Sequence, residues 1–282
     1  MKKKTIITIC SLVLVLGLVL TLCFTLFSLK TIQIDWRTSH SEISATDEEI
    51  ILESGIKKGG SVLFKGKKKA VKQIEEMHPY IDVVNIETVF PSTFVIHLAQ
   101  RQEVYAIAFE DGHYICDQNL RVLKVEENFE NTTSSPILLT LENQPAKDVK
   151  VGEYLQDVLV PPLYDAFFEN NRTLGEQTEL IKSVSLTTER NTATGKDEKV
   201  FTLALYSGQT VRIVNADRGL TAKVKLMLDV YSQLFTYIGK PLSTPEGEVL
   251  LTEAILRTCT IEICSYLSPS RGENECYFDI FI

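Results

Sequence analysis

The sequence predicts an α+β protein carried on a single N-terminal transmembrane helix. A small β-α-α-β-β domain follows that helix, and a mixed β-rich domain with one long amphipathic helix completes the chain. Three observations lead there. Ile6 to Leu29 contains no charged residue and is mostly Leu, Val and Ile. Between Met77 and Arg101 two runs alternate with a period of two around a short turn. After Arg101 the chain shifts to short strand-like runs and then one long stripe of helical spacing.

The apolar run comes first. About twenty residues cross a bilayer, and 6–29 is long enough. A cleaved signal peptide has a shorter apolar core, roughly seven to fifteen residues, with a small-residue cleavage site; the run fits neither feature, and bulky Leu22 ahead of Cys23 argues against lipoprotein processing. Residues 6–29 therefore read as an uncleaved signal-anchor. Lys2, Lys3 and Lys4 hold residues 1–5 in the cytoplasm, and everything after Lys30 faces outside.

Residues 31–101 read as the small domain. Ile32, Ile34 and Trp36 alternate with Gln33 and Asp35 as a first strand. Thr46 and Glu49 fit a capping box, in which the Thr46 hydroxyl accepts from the Glu49 N–H and the Glu49 carboxylate reaches back. A short helix then runs through Ile50, Ile51 and Leu52 to Gly55, a residue suited to the left-handed stop. Val71, Ile74, Met77 and His78 give a second helical stripe that Pro79 ends. Two strands follow, with Val84, Ile86, Phe94, Ile96 and Leu98 on the face predicted to enter the core. Phe90-Pro91-Ser92-Thr93 turns between them, Pro91 biasing Phe90 to an extended conformation. Val84, Ile86, Phe90, Pro91, Phe94 and Ile96 are thus expected to hold this fold.

Residues 102–282 read as the β-rich domain. Val104 to Phe109 alternates up to a turn at Asp111-Gly112, and the strand-like runs His113–Asp117, Leu120–Val125 and Pro136–Thr140 follow across the polar loop 126–135. Leu155 to Phe168 reads as helical, with Pro161-Pro162 near its first turn. Further strands are expected at Ile181–Thr187, Lys199–Tyr206 and Thr210–Val214. From Leu220 to Ile238 the apolar positions keep helical spacing, and Gly239 supplies a stop.

This order, with the residues that carry it, resembles the FtsQ/DivIB family of bacterial cell-division proteins and its POTRA domain. The matching stretches are Ser54-Gly55-Ile56 ahead of Gly60-Ser61-Val62-Leu63, and His78-Pro79-Tyr80-Ile81 after the helix. The run from Val84 through Phe90-Pro91-Ser92-Thr93-Phe94-Val95-Ile96 to Gln100-Arg101-Gln102-Glu103-Val104-Tyr105-Ala106 matches too, with Gln100 where the family has Glu. In the second domain Asn119 stands where the family has Gly, and Asn tolerates the left-handed turn conformation.

Three of the 29 basic residues precede the anchor, leaving 26 outside against all 37 acidic ones, a net of −11. Such a balance argues against nucleic acid as a partner. The run Lys65 to Lys69 with Lys72 is the exception, read either as a solvated helix face or as a contact for lipid headgroups or wall polymer. Lysines at a helix N-terminus oppose its dipole.

Nothing in the sequence points to catalysis. His40, His78, His97 and His113 have no metal-ligand spacing, and adjacent acidic pairs such as Glu75-Glu76 do not face one another. No cofactor is expected. Cys10 and Cys23 lie in the anchor, while Cys116, Cys259, Cys264 and Cys276 face the outside, where disulfides persist. A terminal hairpin centred near Ser270 would set Cys264 opposite Cys276 and allow a bridge; free buried thiols are the alternative.

The run Thr258–Tyr266 alternates polar and apolar residues. Exposed strand edges accept other chains by strand addition. The resemblance implies that Thr258, Thr260, Glu262, Cys264 and Tyr266 present such an edge to FtsL-type and DivIC/FtsB-type coiled-coil membrane partners. Otherwise 276–282 covers it and becomes the edge itself. The implied role is a non-catalytic scaffold at the division septum that controls septal peptidoglycan synthases. The alternatives are another POTRA-bearing envelope-assembly component or an anchored cell-wall enzyme.

Overall fold

Leu29, the last residue of the apolar run, ends in a protein core, where only 2% of its surface stays exposed. The computed structural model describes residues 11–18, 21, 25–41, 43–60, 66–143, 145, 148–191, 195–244, 247–250, 252–267 and 274–281. Much of the predicted anchor lies outside the described residues. Residues 11–18 are helical, and among the described residues no helix is long and apolar enough to cross a membrane. The chain divides into two compact units, Met1–Arg101 and Gln102–Ile282.

In the first unit strand β1 (Thr31–Trp36) is followed by helices α1 (Asp47–Glu53) and α2 (Lys67–Met77), then strands β2 (Ile81–Val89) and β3 (Thr93–Gln100). The sheet order is β1-β3-β2, with β1 parallel to β3 and β2 antiparallel to it. Parallel pairing needs a long crossover, and the two helices belong to it. Thr46 and Glu49 close the capping box at the start of α1, and Gly55 takes φ +68° just past its end. Ile50, Ala70 and Ile74 from the helices pack against Ile81, Phe94, Ile96 and Leu98 from the sheet.

Two positions depart from the period-two reading. A bulge between Val83 and Asn85 shifts the register of β2, so that Val83 pairs with Leu98 and is buried. A one-residue slip moves a side chain to the other face, and Val84 is 54% exposed. Val84 is therefore not a core residue, whereas Ile86, Phe94 and Ile96 are. Phe90 is also exposed, in the β2–β3 turn before Pro91. On α2, Ala70 replaces Met77 in the stripe, and Met77 faces solvent.

His97 lies on the sheet face opposite the helices and is nevertheless buried. Its Nδ1 is 2.7 Å from Asp35 Oδ2, and its Nε2 is 3.2 Å from Glu87 Oε2. Arg101 ends the domain as a buried cation, donating to the Ile81 carbonyl and to the Glu75 and Asp82 carboxylates. Satisfying the guanidinium in this way offsets the desolvation that burial imposes.

The second unit opens with strands β4 (Tyr105–Phe109), β5 (Gly112–Cys116), β6 (Val122–Glu126) and β7 (Ile137–Thr140). Helices α3 (Val160–Glu169) and α4 (Leu174–Leu180) come next, then strands β8 (Ile181–Arg190), β9 (Asp197–Leu205) and β10 (Thr210–Val214). Helix α5 (Leu220–Gln233) leads to a separate two-stranded sheet that pairs β11 (Pro241–Thr244) with β12 (Gly247–Leu250). The short α6 (Glu253–Thr258) and strands β13 (Thr260–Leu267) and β14 (Asn274–Phe281) end the unit. Among the described residues, nine of these strands form one sheet in the order β14-β13-β10-β9-β8-β7-β4-β5-β6. Helices α3 and α4 make the crossover between parallel β7 and β8, and α5 and α6 lie between parallel β10 and β13.

The core forms between α3, α5 and the sheet, joining Leu163, Phe167, Val224 and Met227 to Val184, Phe201, Leu203 and Ile213. Helix α3 starts at Val160, later than its apolar pattern, because Pro161 and Pro162 fit only its first positions. At the β5–β6 connection the turn expected at Asn119 is present, but Leu120 takes the left-handed conformation at φ 61°. The Asp117 carboxylate fixes it by accepting from the Asn119 and Arg121 N–H groups.

Candidate partner-binding edge

The C-terminal strand pair is anchored before it begins. Thr252 caps α6 by accepting from the Ile255 N–H. Buried Gln209 donates to the Leu256 carbonyl at 2.8 Å, and the Thr210 N–H donates to the Cys259 carbonyl. These bonds set β13 beside β10, with Thr210 in register with Thr260 and Ile213 with Ile263. Ile261 and Ile263 are fully buried, while Thr260, Glu262 and Cys264 on the alternate positions are half-buried. Period-two alternation therefore holds from Thr260 to Cys264.

Strand β13 is not an edge. β14 pairs with it antiparallel along its whole length, from Thr260 opposite Phe281 to Leu267 opposite Asn274. The backbone from Thr260 to Ile263, which carries Thr260 and Glu262, is thus flanked by strands on both sides, while Cys264 and Tyr266 lie beyond the paired part of β10 and pair with β14 alone. Thr258 lies outside the strand, at the end of α6, where its hydroxyl donates to the Ile255 carbonyl. The outermost strand is β14, which among the described residues has β13 as its one strand neighbour.

The hairpin register does not set the two cysteines of the expected disulfide opposite one another. Cys264 stands opposite Tyr277, and Cys276 stands opposite Ser265. The two cysteines are out of register by one residue. The Cys264 thiol donates toward Glu262 Oε1 at 3.6 Å. Cys116 and Cys259 are free and buried, and burial pushes both thiols up in pKa. Thiols held protonated in this way are poor nucleophiles.

Charge is concentrated beside β13. Arg212 on β10 bonds to Glu189 on β8 at 2.7 Å and to Glu262 on β13 at 3.1 Å. Glu189 above all holds the guanidinium more firmly protonated than usual, against a smaller opposing effect of burial. The pair of ionic bonds ties three strands together on the side of the sheet away from Ile261 and Ile263.

The opposite end of the sheet differs. The outer side of β6 is partly covered by residues 152–155: the Val122 N–H donates to Glu153, the Gly152 N–H to Val122 and the Leu155 N–H to Leu120. Lys124 on β6 is paired with Glu103 and Glu126 at 2.8 and 2.7 Å. Charge and backbone cover both blunt an edge. At the other end β14 is the outermost strand, with β13 as its one strand neighbour among the described residues, which makes it a candidate edge for strand addition. The sequence reading favours the run Thr258–Tyr266 as the edge and keeps 276–282 as the alternative; the sheet order places the alternative outermost.

Among the described residues no group of three or more His, Cys, Asp or Glu side chains is placed to hold a metal ion. The histidines serve locally instead: His78 bonds to Glu53, and His97 lies between Asp35 and Glu87.

Residues 27–101 match the POTRA domain, FtsQ-type. The chain is similar to the cell division protein DivIB of Clostridium tetani, 29% identical over 143 residues, covering 50% of each protein. It is 29% identical over 137 residues to DivIB of Clostridium acetobutylicum, covering 48% of this chain and 51% of that one. It is 25% identical over 143 residues to DivIB of Clostridium botulinum, covering 50% and 52%. The chain spans about half the length of the curated relatives it matches.

Proposed function

Since the chain belongs to the FtsQ/DivIB family, we propose that it is a non-catalytic scaffold of the division septum, anchored in the cell membrane by one helix. The observation that carries this reading is an FtsQ-type POTRA domain followed by a sheet whose last strand, β14, presents its outer edge.

The anchor is residues 6–29, with residues 1–5 in the cytoplasm and two outer domains over 31–101 and 102–282. Leu12, Leu14, Leu16 and Leu18 are all more than half exposed on the helical stretch 11–18. A helix apolar all round is one that is buried, in a large core or in a membrane, and a bilayer suits this one. Thr21 and Thr25 bond their hydroxyls to the carbonyls of Gly17 and Thr21, which satisfies polar groups within the apolar segment.

The partners are coiled-coil membrane proteins of FtsL type and DivIC/FtsB type, one of which adds a strand to β14. Through them the scaffold controls septal peptidoglycan synthases. Confinement to the membrane plane raises the effective concentration of these partners. The corresponding experiment is a fluorescent fusion at the cytoplasmic N-terminus in growing cells, combined with depletion. A midcell band and filamentous cells on depletion are expected. A uniform envelope signal with normal division would overturn the septal role.

A further inference from the structure

We propose that the end of the POTRA domain around Leu29 is a membrane-seating surface, in which Phe90 enters the bilayer interface and surrounding lysines bind anionic lipid headgroups. This rests on the reading of residues 6–29 as a membrane anchor.

There is no slack between the apolar segment and the fold. The Leu29 N–H donates to the Gly60 carbonyl, the Gly59 N–H donates to the Leu29 carbonyl, and the Lys30 N–H donates to the Ser92 carbonyl, all within 2.8 Å. Leu29 itself is a core residue. Whatever surrounds it therefore sits where the anchor leaves the bilayer. Three parts of the domain meet there: the 57–60 loop, the β2–β3 turn and the N-terminal end of α2. The last is fixed by Lys67, whose amine donates to the Ile86 carbonyl and to the Thr88 hydroxyl, two residues short of Phe90.

This end has the chemistry of a bilayer interface. Phe90 is 61% exposed and meets Phe27 edge-on, with ring centroids 6.1 Å apart. Trp, Phe and Leu side chains are those that interfacial segments bury at the headgroup/acyl boundary of membranes. Residues 27–31, 54–60, 66–69 and 88–95 hold six lysines and no acidic residue, in a chain of net charge −8. Among the described residues Lys57, Lys58, Lys68 and Lys69 are exposed and form no ion pair. Lys68 and Lys69 lie in the first turn of α2, where the helix dipole disfavours them. An external anionic surface offsets that cost, and each basic residue near such a surface adds attraction that salt weakens.

The test uses the full-length chain carrying Phe90→Trp, reconstituted in bilayers with or without phosphatidylglycerol. Quenching of the introduced indole by lipids brominated along the acyl chain is measured against the parent chain, which holds one tryptophan. Seating predicts quenching at least twofold stronger in anionic than in neutral bilayers, reduced by half or more when Lys57→Glu and Lys58→Glu are added. Co-flotation with the vesicles after alkaline wash reports the anchor separately. A chain that does not stay with the vesicles would refute the anchor reading. A chain that stays, with the introduced indole open to aqueous quencher and indifferent to lipid charge, would overturn the seating surface alone. Binding of a soluble anionic wall polymer in place of lipid, with that indole still water-accessible, would overturn it as well.

Discussion

Val83 pairs with Leu98 across the first sheet, while Val84, its neighbour in the bulge, is open to solvent. This local shift separates residues that hold the POTRA fold from one that only looks as though it should. Phe94→Ala is expected to destabilise the domain by about 3–5 kcal/mol through a cavity at a fully buried ring. Val84→Ala should stay within about 0.5 kcal/mol. Denaturant unfolding of the two variants checks both values.

Gly112 is fixed by a close approach rather than by its φ angle. A Cβ there would lie 2.6 Å from the Glu126 carbonyl oxygen, a backbone atom of the paired strand. Gly112→Ala should therefore force β5 and β6 apart and cost about 1–3 kcal/mol. Faster amide exchange in Val122–Glu126 than in β4 would show where the strain goes.

The thiols should sort by burial. Under native alkylation at mildly alkaline pH, half-buried Cys264 is expected to react, while Cys116 and Cys259 react only after unfolding. Peptide mapping without reductant should find no bridge between Cys264 and Cys276.

Acid should weaken both domains through their capping boxes. The backbone N–H groups of Thr46 and Thr173, and then their hydroxyls, hold Glu49 and Glu176 below the ordinary carboxyl value of 4.5. A carboxyl depressed in the folded state contributes stability above its unfolded pKa, and that contribution is lost as pH falls through the folded value. Thermal melts from pH 6 downward should decline below about pH 4.5, and Glu176→Gln should flatten its share of that decline.

Much of the fold was legible because local rules and tertiary packing agree. The Thr46 capping box, Gly55 and the long α5 stripe are written in short-range spacing, and each is present. Features that depend on a partner strand were not legible. The bulge at Val83 arises from pairing with β3, and the one-residue register of the terminal hairpin depends on its turn. Helix α4 had a readable signal in Thr173 and Glu176, a second capping box, but no long apolar stripe beside it. The candidate site was legible as a pair of terminal strands. Which one lies outermost follows only from the sheet order.

The central claim is strand addition at β14, and site-specific photo-cross-linking in cells tests it most directly. A photoreactive residue is placed at Tyr277 on β14 or at Lys124 on β6, at opposite ends of the same sheet. The account predicts cross-links from position 277 to a DivIC/FtsB-type or FtsL-type protein, and none from position 124. Cross-linking from position 124 with silence at 277 would contradict it.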